Sequence, residues 1–237
     1  MLILNDGQNL FEPERAYVPG EPWRVGETAD ALVEAGAIPP MVIAGIDHAG
    51  PRRIFDFTPT RGEKGMGGGA ATFANLLVNE ALPFIRAHYA VTSDPNQTGV
   101  GGSSLGGLVT LYTVSAHPGV FGRCLVMSPS VWWSKRWILG AMPSAAGPEG
   151  VRAWVDIGLR EGASSVRNAR RLRRVIGRIK PPVDIRYVED PDGDHSERAW
   201  ARRLPAALAF LFGSGSARPS DGHPIFDQSI GPDVNRV

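Results

Sequence analysis

A serine flanked at two-residue spacing by glycines, Gly102-x-Ser104-x-Gly106, lies within Thr98-Gly-Val-Gly-Gly-Ser-Ser-Leu-Gly-Gly107. A serine hydroxyl becomes a useful nucleophile when a base takes its proton and a third group orients that base. Glycines on both sides suit a strand-to-helix turn so sharp that side chains there would clash, with the serine at its tip. With 29 glycines in 237 residues, chance would supply such a pattern about one time in five, so the surroundings must carry the reading. Gln97–Gly101 is a short run of small residues fit for a buried strand, and Leu105–His117 is apolar on nearly every side, as a helix under a sheet would be, with Pro118-Gly119 to stop it. The alternative is a glycine-rich turn that binds phosphate or packs tightly. Neither GxGxxG nor GxxxxGK[ST] occurs there, which disfavours it.

When such an elbow tops a parallel sheet, its partners follow in the order Ser, acid, His, each in a loop after a strand. Of five histidines, His48 precedes the elbow, His88 and His117 end helices where a cation suits the dipole, and His223 lies near the C-terminus. His195, in Glu189-Asp-Pro-Asp-Gly-Asp-His195 beyond the last strand, is the expected base. Glu161, in Gly158-Leu-Arg-Glu161-Gly162, sits past a strand end and is favoured as the acid over Asp156 inside that strand. Asp192 and Asp194 are more remote candidates, and an exposed ion pair of Glu161 with Arg160 or Arg167 is the structural alternative. The oxyanion donors are expected to be the N–H groups of Leu105 and of Gln8 in Asn5-Asp6-Gly7-Gln8-Asn9. Asp6 and Asn9 are then expected to bond backbone groups of their own turn. A histidine base works only while neutral, so activity should disappear on acidification through the histidine range.

The elements that must position these residues alternate along the chain. Strands are predicted at Leu2–Asn5, Met41–Ile46, Thr98–Gly101, Arg123–Ser128, Ala153–Gly158 and Asp184–Val188. Helices are predicted at Glu27–Ala35, Ala71–His88, Leu105–His117, Ser165–Ile179 and Glu197–Phe212, with a Gly65–Gly69 loop before the second. This is an α/β pattern, a mostly parallel sheet with helices on both faces. Residues 1–213 read as one catalytic domain, and 214–237 as a polar C-terminal tail anchored only by Ile225-Phe226.

Composition narrows the partners. With 25 basic and 24 acidic residues, net charge +1, nothing points to nucleic acid or an anionic membrane. The arginines of Arg167–Arg174 alternate with Val166, Leu172, Val175 and Ile176, so they read as the solvated face of a helix. Cys124 is the single cysteine, which excludes an intrachain disulfide or a cysteine metal site and suits a cytoplasmic protein. The MLILNDGQNLF start lacks a basic leader and reads as no signal peptide, and no apolar run approaches the ~18 residues of a membrane span. No metal or organic cofactor is expected.

Taken together, the segments LNDGQNLF, RIFDFTPT, GGSSLGGL, SPSVWW, DIGLREG and GDHSERAW resemble, in order from Leu4 to Trp200, the putative-esterase (esterase D-like) branch of the α/β-hydrolases. The chain is most similar to its enterochelin- and salmochelin-type siderophore esterase subgroup. The resemblance implies an α/β-hydrolase fold, Ser104, Glu161 and His195 as triad, and Arg53 with Trp132 or Trp133 lining an acyl or aryl pocket. For Arg53 a salt bridge to Asp56 or another loop acid stays equally open, and for the tryptophans, core packing by one of them. Family members usually have a β-hairpin and a further strand ahead of the DGQNLF segment, and this sequence does not supply them. The strand Met41–Ile46 is therefore expected to be a bare edge, covered by the C-terminal tail or by a partner chain in a homo-oligomer.

The implied activity is hydrolysis of a carboxylic ester through an acyl-enzyme, on a small-molecule substrate such as a siderophore lactone, an aryl ester or a short-chain acyl ester. Acyl transfer to an alcohol, or a non-catalytic ligand-binding module on the same fold, are the rival expectations.

Overall fold

The computed structural model describes residues 1–62, 65–142 and 149–213. The expected tail, 214–237, lies outside the described residues. Among the described residues six parallel strands form one sheet: β1 (Leu2–Asn5), β2 (Ile43–Ile46), β3 (Gly99–Ser103), β4 (Arg123–Met127), β5 (Arg152–Gly158) and β6 (Asp184–Asp190). Their order is β2-β1-β3-β4-β5-β6. All six coincide with predicted strands to within two residues at either end.

Among the described residues eight α-helices cover the sheet: α1 (Val25–Glu34), α2 (Arg53–Phe57), α3 (Ala70–Leu76), α4 (Leu82–His88), α5 (Leu105–Ala116), α6 (Trp133–Ala141), α7 (Ala163–Ile176) and α8 (Glu197–Phe212). Side chains alternate across β1 as a pleated strand requires: Leu2 and Leu4 belong to the core cluster that includes Trp200, Leu204 and Leu208 of α8, while Ile3 belongs to the cluster on the other face, with Val109 of α5. Helix α5 has no polar face because sheet and neighbouring helices enclose it, and eight of its residues are buried. The arginines of α7 face solvent while Val166, Ala169, Leu172 and Ile176 are buried. Cys124 lies in the core, where burial pushes its thiol up to about 12 and keeps it unreactive.

Three elements differ from the sequence reading. The single helix expected over 71–88 is α3 and α4 joined by a π-helical stretch, Leu77–Ala81. Pro83 has no N–H for the carbonyl four residues back and its ring crowds that turn, so the helix widens just before it. Helix α2 is only five residues long, too short to leave a periodic pattern. Helix α6 was not expected at all, and its first turn is left-handed at Ser134, Lys135 and Arg136, a conformation that no composition signal announces.

Strand β2 pairs with β1 in register from Leu2↔Ile43 to Asn5↔Ile46 and, among the described residues, with no other strand. No helix of the described residues is long and apolar enough to cross a membrane. The strand order reverses between β1 and β3, so connections leave to opposite sides there and open a crevice at the carboxyl ends of the strands.

Candidate active site

Ser104 occupies that crevice, between β3 and α5, with φ 55° and ψ −119°. This is a backbone conformation that L-residues rarely adopt, and the surroundings hold it: Ser104 N–H donates to the Met127 carbonyl at 3.0 Å, and its carbonyl accepts from Ser130 N–H at 2.9 Å. The flanking glycines are needed for space. A Cβ on Gly102 would lie 2.9 Å from the Gly106 backbone, and one on Gly106 would lie 3.0 Å from an Asp6 carboxylate oxygen.

Two of the sequence-predicted residues meet Ser104 in one line. His195 Nε2 lies 2.9 Å from Ser104 Oγ, and His195 Nδ1 lies 2.6 Å from Glu161 Oε2. A carboxylate only accepts, so Nδ1 carries the proton and Nε2 presents a lone pair to the serine hydroxyl. His195 is half-exposed, whereas the Glu161 side chain is 3% exposed. The Trp200 ring meets the imidazole edge-on, with centroids 4.9 Å apart.

Glu161 ends a short 3-10 turn, Leu159–Glu161, directly after β5. Its Oε1 accepts from Gly158 N–H at 2.9 Å and from Ser128 Oγ at 2.5 Å. The exposed ion-pair alternative for Glu161 does not form: Arg160 pairs with Asp192 at 2.5 Å instead. Asp156 is fully buried within β5, accepting from Trp154 Nε1 at 2.8 Å, Arg203 at 3.0 Å and Ser128 N–H at 3.2 Å. Burial raises its carboxyl above the ordinary range, against the opposing pull of Arg203. Asp194 bonds the Ser196 hydroxyl, which caps α8.

On the oxyanion side, Leu105 is the first residue of α5, so its N–H is one of the helix's free first-turn donors. Gln8 lies in the 3-10 turn Gly7–Asn9 after β1, and its side-chain oxygen accepts from His48 N–H at 3.4 Å. Asp6 and Asn9 do not bond their own turn as expected: each side chain faces a charged partner, partly exposed Arg53 and buried Glu197, and Asn9 Oδ1 accepts from Tyr17 N–H at 2.9 Å. The Asp6 carboxylate takes a two-point contact from Arg53, at 2.6 and 2.9 Å, while Asp56 pairs with Arg52. Asn9 Nδ2 donates to Glu197 Oε1 at 3.1 Å, and Trp23 Nε1 donates to the other carboxylate oxygen. Burial, with the neighbouring Asp6 charge adding to it, pushes the Glu197 carboxyl up to about 7.

The two tryptophans separate. Trp133 is buried and its Nε1 donates to the Thr60 carbonyl at 3.0 Å. Trp132 is 56% exposed, two residues beyond Ser130, whose Oγ lies 3.4 Å from that of Ser104.

Sequence reasoning missed Ser128, Glu197 and Arg203. Arg203 left a signal: it shares the apolar stripe of α8 with Trp200, Leu204, Ala207 and Leu211, a place that only a paired charge occupies.

Comparison with known proteins supplies the family. The model of the family described as "Putative esterase" matches residues 2–211. The uncharacterized protein YbbA of Bacillus subtilis is 24% identical over 226 residues, covering 90% of this chain and 85% of that protein. Iron(III) salmochelin esterase of Escherichia coli O6:H1 is 28% identical over 182 residues, which span 69% of this chain and 39% of that protein. The enterobactin esterase FES from Shigella flexneri superposes with TM-score 0.68 at 25% identity, over 89% of this chain and 52% of that one. With the family model spanning nearly all of the described fold, the chain belongs to the putative esterase family and is a carboxylic-ester hydrolase of the α/β-hydrolase type.

Proposed function

We propose that the protein hydrolyses its ester through an acyl-enzyme formed on Ser104. The observation that carries this reading is the hydrogen-bonded line Ser104 Oγ–His195–Glu161, at 2.9 and 2.6 Å. In the first half-reaction Ser104 Oγ attacks the ester carbonyl carbon while His195 Nε2 takes its proton. The tetrahedral oxyanion is received by the N–H groups of Leu105 and Gln8. The C–O bond to the alcohol then breaks, with the Nε2 proton passing to the leaving oxygen. In the second half-reaction a water adds to the acyl carbonyl, giving its proton to Nε2, and Ser104 leaves with that proton restored. Glu161 keeps the imidazole in the required tautomer and offsets its charge in both steps. Each step is thus assigned to a group of this chain, the three triad side chains and the two backbone N–H groups.

The substrate we propose is a small ester with an aryl-bearing acyl group, of which a siderophore lactone is one type. The exposed Trp132, two residues beyond the Ser130 that meets Ser104, offers an aromatic surface for it. The related salmochelin and enterobactin esterases fit this class. Arg53 is spoken for by Asp6, so its contribution to substrate is indirect, through the shape of the loop after β1.

The test is a hydrolysis panel of catecholate trilactones, feruloyl esters and short-chain p-nitrophenyl esters, with Ser104→Ala as control. The reading predicts turnover in at least one class, highest for aryl acyl groups and lost in the variant. Turnover that persists in Ser104→Ala would remove it.

A further inference from the structure

Glutamate is a loose way to hold an imidazole. It has one more rotatable bond than aspartate, and leaving it free forfeits much of the alignment a base needs. In this chain the acid also stands on a short surface turn rather than within a strand. Something must fix it, and Gly158 N–H supplies only one contact.

The second contact comes from Ser128, just past β4. Its hydroxyl oxygen has three neighbours: Glu161 Oε1 at 2.5 Å, Trp200 Nε1 at 2.9 Å and an Arg203 guanidinium nitrogen at 3.1 Å. An indole N–H and a guanidinium can only donate. Both lone-pair directions of Oγ are thereby taken, and the one hydroxyl proton goes to Glu161. Ser128 itself is 2% exposed and stands at φ 42°, in the left-handed region that favours glycine. Asp156 clamps it there, accepting from its N–H through the backbone carbonyl at 3.1 Å and through the side chain at 3.2 Å. The same Asp156 pairs with Arg203, which is also held by Asp190 at 3.1 Å.

We propose that Ser128 is a positioning residue for the esterase reaction, its hydroxyl proton committed to Glu161 by Trp200 and Arg203 so that the second carboxylate oxygen faces His195. The proposal rests on the acyl-enzyme reading above. A serine in a glycine-favouring conformation forgoes stability for its hydroxyl, and a directed hydrogen bond to the acid is what that hydroxyl supplies.

The conformation also provides the test. Ser128→Gly removes the hydroxyl and relieves the backbone, while Ser128→Ala removes it and keeps the strain. Steady-state kinetics on a turned-over aryl ester and thermal unfolding are measured for both variants, the wild type and Ser104→Ala. We expect kcat to fall about 10- to 100-fold in both variants with KM within about threefold. The unfolding midpoint of the glycine variant should lie above that of the alanine variant. A purely structural role would instead make activity follow stability, with Ser128→Gly close to wild type. That pattern, with Ser104→Ala inactive, would overturn the proposal and leave the hydrolase reading standing. Full turnover by Ser104→Ala would overturn both.

Discussion

At the scale of single residues, the proposed mechanism separates groups that react from groups that hold them. Glu161→Gln keeps the size of the side chain but puts an amide against His195 Nδ1, which favours the wrong tautomer at Nε2. We expect kcat to drop about 10²- to 10⁴-fold with little change in KM, measured on any ester the protein turns over. Trp132→Ala removes a ring that is 56% exposed and meets the Trp133 ring at 5.7 Å between centroids. It should raise KM for aryl acyl esters about tenfold, leaving short-chain acyl esters within about twofold, a contrast read from paired kinetics. That Ser104, His195 and Glu161 would meet was legible in the sequence because each lies in a turn or loop after a strand, where chain order and local breakers mark the position. The partners of Asp6 and Asn9 were not, because Arg53 and Glu197 reach them from distant segments and no local pattern encodes such a meeting.

Among elements, the most consequential pin is the one between α8 and the strands beneath it. Arg203 lies on the buried face of α8, bonded to Asp156 of β5 and Asp190 of β6. Arg203→Met would leave the fully buried Asp156 carboxylate without its counter-charge. Such a loss costs about 3–5 kcal/mol, so the thermal midpoint should fall by roughly 10 °C, with activity falling as Glu161 loses its support. A change of a degree or two in scanning calorimetry would mean that the pair contributes little. The sequence announced the six strands because apolar runs of the right length sit between glycines, prolines and polar turns. It was silent on α2, which is five residues long, and on all of α6 with its left-handed first turn. Those shapes are set by packing around the crevice rather than by propensity.

For the molecule as a whole, Glu197 ties the loop that carries Gln8 to the start of the helix that follows His195, across the mouth of the sheet. Its carboxyl is pushed from an ordinary 4.5 up to about 7. The folded chain therefore binds more protons at this site than the unfolded chain between those values, so this group's stabilising contribution is complete below that window and is lost as pH rises through it. The loss is at most about 3 kcal/mol. Glu197→Gln cannot ionise, so between pH 5 and pH 8 urea unfolding should show wild type losing ground relative to the variant. Parallel pH dependences would argue that the carboxyl titrates normally. The parallel sheet with helices on both faces followed from the α/β pattern, whereas the strand order and the crevice at its switch point come from the structure alone. What covers β2 did not, since an edge's partner is written elsewhere than in the edge. The account as a whole turns on covalent attack by Ser104. Reaction with a fluorophosphonate ester, followed by intact-mass and peptide mapping, should find a single adduct on Ser104, absent in His195→Ala. Adduct on another residue, or undiminished ester hydrolysis by a protein quantitatively modified at Ser104, would contradict it.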